Sequence, residues 1–206
     1  MIRIALRLAS LLLLGGALAC GARSQDPPKP APSVPDSRWP VPSGWKHETL
    51  KLPPDFAPTL PYHGTEELRF MPGFFSPSAP DYWSYEFVWW LDDSPPFDAE
   101  GLAANLTAYF RGLATEVGGS KYHLDPARYR TVLNPVPASA PPRLTGQVFT
   151  YDPFTTGLPV DLNVEAELRS CPGIGKFAIV VILSPQDPAS DVWKTLRATA
   201  ASLECI

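Results

Sequence analysis

Cysteine is scarce in this 206-residue chain: three occur, Cys20, Cys171 and Cys205. That is too few for a disulfide-dense scaffold, and the odd number leaves one thiol over once a pair forms. Clustered positive charge is missing as well. The 17 Lys and Arg face 21 Asp and Glu and form no basic block. This argues against nucleic acid as a partner and against a polybasic membrane patch, since both rest on massed Lys and Arg. Long apolar runs are also lacking. The run from Leu11 to Ala19 falls short of the roughly 20 residues that a membrane-spanning helix needs, and no later segment is longer.

Catalytic signatures are equally sparse. There is no Gly-x-Ser-x-Gly nucleophile elbow; Ser184 follows an apolar run, but Pro185 comes next and no glycine is near. Gly173-Ile174-Gly175-Lys176 lacks the further glycines of a phosphate loop and leads into a strand pattern rather than a helix, so it reads as a turn. His47, His63 and His123 show none of the paired spacing of zinc ligands on one element. Glu66 or Glu67 with Glu86 would supply two carboxylates of the kind glycoside hydrolysis uses, but any acidic chain offers such pairs. The residues therefore point to no cofactor and no metal.

What is present begins at the N-terminus. Arg3 and Arg7 precede Leu11-Leu12-Leu13-Leu14, and small residues follow up to Ala19. A basic start, a short apolar stretch and small residues before a cleavage point read as a signal peptide over residues 1–19. Ala17-Leu18-Ala19-Cys20 resembles a bacterial lipobox, in which the cysteine takes a diacylglycerol and becomes the new N-terminus. Ala17 stands where that pattern usually has Leu, and Ala17-x-Ala19 fits ordinary signal cleavage too. Lipidation of Cys20 would leave an even pair of thiols. The expectation is an exported, membrane-anchored protein facing the periplasm or the cell exterior, with plain secretion as the alternative. Removing Arg3 and Arg7 from the 17 basic residues leaves 15 against 21 acidic ones, a net charge of −6.

Seven of the 24 residues from Gly21 to Gly44 are proline. So little apolar surface cannot offset the entropy of ordering, and proline stiffens the chain toward polyproline II. Residues 20–44 therefore read as a lipidation site and a tether, with a reach on the order of 75 Å at about 3.1 Å per residue. Residues 45–206 read as one domain.

Two helices are predicted in it. The first has Asp98 as its N-cap, Phe97 and Leu102 as a hydrophobic staple, an apolar stripe of Leu102, Leu106, Tyr109, Phe110, Leu113 and Val117, and a left-handed stop at Gly118-Gly119. The second is expected to start at Asp187-Pro188 and to bury Val192, Trp193, Leu196, Ala200 and Leu203. Strands are predicted over 67–70, 82–91, 129–136, 144–151, 160–168 and 177–183. The alternation from Val160 to Leu168 leaves one face in water, whereas the apolar run from Phe177 to Leu183 is buried on both faces. The fold class is α+β: an antiparallel sheet of about six strands with two main helices packed on it.

The final strand Phe177-Ala178-Ile179-Val180-Val181-Ile182-Leu183, the Ser-Pro-Gln turn and the closing helix with Trp193 and Leu196 resemble the end of Mog1/PsbP-like domains. Phe70-Met71-Pro72-Gly73-Phe74-Phe75 and Phe87-Val88-Trp89-Trp90-Leu91 resemble a family of exported bacterial lipoproteins. The first likeness implies a non-enzymatic domain that acts through protein contacts; neither supplies catalytic residues. The expected function is a non-catalytic envelope domain that binds a protein partner or a small ligand, with a hydrolase acting on envelope material as the alternative.

Two further readings concern particular side chains. A strand over residues 82–91 carries Trp83, Tyr85, Phe87, Trp89 and Leu91 on one face and Tyr82, Ser84, Glu86, Val88 and Trp90 on the other. If the first face is core, Tyr82, Glu86 and Trp90 form a candidate binding surface; the bland reading is a large aromatic core. For the cysteines, a helix from Pro188 to Cys205 that folds back over the strand 177–183 returns its last residue to the strand's start, beside Cys171. A Cys171–Cys205 disulfide is expected.

Overall fold

A computed structural model describes residues 38–205, which include seven strands and two α-helices. The strands are β1 (Lys46–Leu52), β2 (Gly64–Phe70), β3 (Tyr85–Leu91), β4 (Arg130–Pro135), β5 (Arg143–Tyr151), β6 (Pro159–Cys171) and β7 (Lys176–Ser184); the helices are α1 (Ala99–Gly118) and α2 (Asp191–Ala201). They form one antiparallel sheet in the order β1-β2-β3-β7-β6-β5-β4. The fold is thus α+β with an antiparallel sheet, and the strand count is seven rather than six. The signal-like segment 1–19, Cys20 and most of the expected tether lie outside the described residues. Among the described residues no helix is long and apolar enough to cross a membrane.

Parity along the strands divides the core into two layers. One holds Trp89, Phe87 and Tyr85 of β3, Ile179, Val181 and Leu183 of β7, and Leu162, Val164 and Ala166 of β6, packed with Leu102, Leu106, Tyr109 and Phe110 of α1. The other holds Val88 and Trp90 of β3 and Ala178, Val180 and Ile182 of β7, packed with Trp193, Leu196 and Ala200 of α2. Central β7 is apolar on both sides because a helix covers each. The β1 edge is blunted by charge, exposing Lys46, His47, Glu48 and Lys51.

Several local expectations are corrected. The strand begins at Tyr85 and not Tyr82, because Trp83 takes a left-handed φ of 54°. Gly119 caps α1 in the right-handed region, its N–H donating to the Thr115 carbonyl, so the helix does not stop on a left-handed residue. Asp98 does cap α1, its carboxylate accepting from Gly101 N at 2.7 Å. The second helix begins at Asp191; Asp187 and Pro188 form a turn, with the Asp187 carboxylate accepting from Ala189 N at 2.8 Å. Packing also reaches further toward the N-terminus than residue 45. Trp39 is fully buried in the α2 layer, donating from its indole to the Thr199 carbonyl at 3.2 Å.

Cys171 and Cys205 are bonded, with Cα atoms 4.4 Å apart. Since α2 ends at Ala201, the non-helical residues 202–205 complete the return.

Candidate functional site

The three residues of the expected binding surface do not share a face. Tyr82 lies outside the strand and donates to Asp152 at 2.5 Å, which ties the loop before β3 to the β5–β6 turn. Hydrogen bonds from Thr155, Tyr82 and Thr156 outweigh burial and hold the Asp152 carboxyl far below its usual range. Glu86 and Trp90 do point to the second face, but α2 and the segment around Trp39 cover it, leaving them 0% and 4% exposed. An exposed aromatic patch there is corrected to core.

The expected carboxylate pair is also split. Antiparallel register sets Glu66 opposite Trp89 and Arg69 opposite Glu86, so Glu66 faces α1 whereas Glu86 faces α2. Glu67 shares the α2 side and is held at 2.7 Å by the fully buried Arg69, which also donates to the Trp39 carbonyl at 2.6 Å. Neither carboxylate oxygen of Glu86 has a hydrogen-bond partner. Burial pushes that carboxyl well above the usual range, and Arg69 and Arg169 offset only part of the rise.

The arrangement that sequence reasoning missed is a cavity of about 270 Å³ between β1, β2, β3 and α1. Aromatic side chains from separate segments supply its walls: Phe56, Phe70, Phe74, Trp83, Tyr85 and Tyr109. Phe56–Tyr109, Phe70–Phe74 and Phe74–Tyr85 meet edge to face at 78°, 61° and 76°, while Phe70 and Tyr85 stack at 15°. Two backbone features set this up. Gly112 lets α1 approach the β1–β2 loop, because a Cβ there would stand 1.9 Å from the Phe56 carbonyl oxygen. Trp83 holds its left-handed conformation, a state costing on the order of 1–3 kcal/mol for such a residue, with its N–H bonded to the Phe74 carbonyl at 3.2 Å.

Behind the Tyr109 wall lies Glu66. Its Oε1 accepts from the Tyr109 hydroxyl at 2.9 Å and from the Trp89 indole at 3.1 Å. Its Oε2 and the neighbouring Tyr85 hydroxyl are buried without a hydrogen-bond partner. Burial pushes the Glu66 carboxyl up to about 7; the bonds from Tyr109 and Trp89 pull it back, and the charge of Glu48 adds to the rise. Glu48 itself is exposed and lines the cavity from β1.

Comparison with family models, with curated proteins and with solved structures finds no match.

A larger cleft of about 350 Å³ lies beside α2, lined by Arg143, Glu165, Glu167, Arg169 and Arg197 among others. Its guanidinium groups are already engaged. Arg143 and Arg169 both bond Glu167, and Arg197 bonds Glu165. Ser184 is buried against Ser84, the hydroxyl oxygens 2.7 Å apart. His47, His63 and His123 are all exposed, and among the described residues no three His, Cys, Asp or Glu side chains are grouped to hold a metal. The cavity under α1 has apolar walls, and beside it lie a perturbed carboxyl and unpartnered polar atoms.

Proposed function

We propose that this chain is an exported, lipid-anchored envelope domain that binds a small ligand without chemistry, in the aromatic cavity between β1–β3 and α1. The observation that carries the reading is the cavity itself: apolar walls from β1–β3, α1 and the turns between them, backed by the buried carboxyl of Glu66. The alternative, a hydrolase, would need that carboxyl to reach a substrate. Oε1 is occupied by two donors and Oε2 is buried, which favours holding a ligand over protonating one. The non-enzymatic expectation also agrees with the Mog1/PsbP-like resemblance, and we extend the proposal to that fold. Its support is the β7, Ser-Pro-Gln turn and α2 succession on an antiparallel sheet.

The neutral dye N-phenyl-1-naphthylamine tests the cavity. It should bind at one saturable site with a rise in fluorescence, and Leu113→Trp, which fills the space from α1, should weaken it at least about tenfold while leaving the protein folded. Unchanged affinity in the folded variant, or no binding to the wild type, overturns the reading. The anchor is tested separately by labelling cells with a radioactive fatty acid. Label should enter the wild type and not Cys20→Ser; label in both or in neither removes the anchor from the proposal.

A further inference from the structure

We infer that the ligand of the α1 cavity is a small organic cation, an alkylated ammonium group on an apolar body. The inference rests on the cavity being a ligand site and adds the charge of what it takes. Among the described residues that line it, Glu48 is the one charged side chain. A second carboxyl, Glu66, sits directly behind Tyr109, so both ionisable acids at the cavity favour a positive occupant. An anionic ligand would meet the Glu48 carboxylate and ring faces of partial negative charge, with a second carboxyl behind Tyr109.

Aromatic walls and acidic groups together suit one chemistry. An ammonium bearing methyl groups is too poorly hydrated to resist entering an aromatic box, and it is attracted to ring faces within about 6 Å of their centroids. A strongly hydrated ammonium or guanidinium would need donors satisfied one by one, and the lining offers few acceptors. Outside the lining, Lys46 Nζ lies 4.9 Å from the centroid of Phe75, which packs on the wall residues Phe70 and Phe74, so a cation already rests against the same aromatic cluster. The net charge of −6 on the chain beyond residue 19 draws cations toward the protein at low salt.

Glu66 adds a direction in pH. The groups facing it are Tyr109 from α1, Trp89 and Tyr85 from β3, and Glu48 from β1. A cation beyond Tyr109 favours the ionised carboxylate, so affinity for it should climb as pH rises through about 7.

Displacement of N-phenyl-1-naphthylamine by two ligands of one shape provides the test: benzyltrimethylammonium, which is charged, and neopentylbenzene, which is not. The cation should displace the dye at a concentration at least about tenfold lower, and more effectively at pH 8 than at pH 6. Glu48→Gln and Glu66→Gln together should shrink the advantage of the cation at least about threefold and erase its pH dependence, the rings retaining the rest; Gln at 66 keeps an oxygen for Tyr109 and Trp89, so the fold is spared. Equal displacement by the two compounds, or an advantage and a pH dependence left unchanged by the double variant, overturns the cation inference. Failure of the dye itself to bind would overturn the cavity reading as well.

Discussion

Trp90→Ala is expected to lower stability by about 3–5 kcal/mol, the usual range for removing a large aromatic from a packed interior. The indole is 4% exposed and lies in the α2 layer with Val88, Val180 and Trp193. Truncation would open a void between β3 and α2 that neither can close, because β3 is pinned in register on both sides by β2 and β7. It would also remove the ring over which the Arg38 guanidinium sits, 5.3 Å from its centroid. Thermal unfolding should show a midpoint roughly 10 °C lower for a domain of this size. Ligand binding under α1, on the opposite side of the sheet, should persist in the folded variant. A midpoint within a degree or two of the wild type would return Trp90 to the surface and revive the β3 binding patch.

That contrast shows what was legible in the sequence. Strand parity assigned Trp83, Tyr85, Phe87, Trp89 and Leu91 to one face, and all five share the α1 layer. The alternation in β6 likewise buries Val160, Leu162, Val164 and Ala166 in that layer, leaving Asp161 exposed and Asn163, Glu165 and Glu167 half-buried. These patterns are local, so one stretch of chain suffices to read them. Parity does not say what lies over a face. Whether Glu86 and Trp90 meet water depends on α2 and on Trp39, more than a hundred and about fifty residues away in sequence.

The missed elements fail for the same reason. β1 reads Lys-His-Glu-Thr-Leu-Lys-Leu, too charged to look like a strand, and it exists because β2 offers it an edge. Asp187-Pro188 carries a helix-start signal that tertiary context overrules: the Gln186 carbonyl accepts from both Asn163 and the Trp193 indole, which fixes the turn before the helix begins. The cavity lay furthest from view. Phe56, Phe74, Trp83 and Tyr109 sit on three loops or turns and a helix, and no window of sequence contains them together. The available hints were Gly112 in mid-helix, where glycine is costly, and a glutamate, Glu66, in an otherwise apolar strand face.

Breaking the Cys171–Cys205 link is expected to cost roughly 3–4 kcal/mol, from the entropy that a loop of about 35 residues regains in the unfolded chain. The bond joins the end of β6 to the residues after α2, so the enclosed segment is the whole β7–α2 unit. Without it, the tail beyond α2 keeps the burial of Leu203 and the bond from Glu204 N to the Arg38 carbonyl at 2.8 Å. Those contacts fix the native geometry but do nothing to restrain the unfolded state, and so they cannot replace the link. Cys171→Ala/Cys205→Ala should therefore fold, with α2 in place, and unfold at about 1–2 M less urea than the oxidised wild type, given the slope usual for small proteins. Reductant should bring the wild type down to the same midpoint and leave the variant unmoved. A wild-type midpoint indifferent to reductant, or free thiols at both positions in unreduced, denatured protein, would show that the bond does not form. A variant as stable as the oxidised protein would show that the link adds nothing to stability.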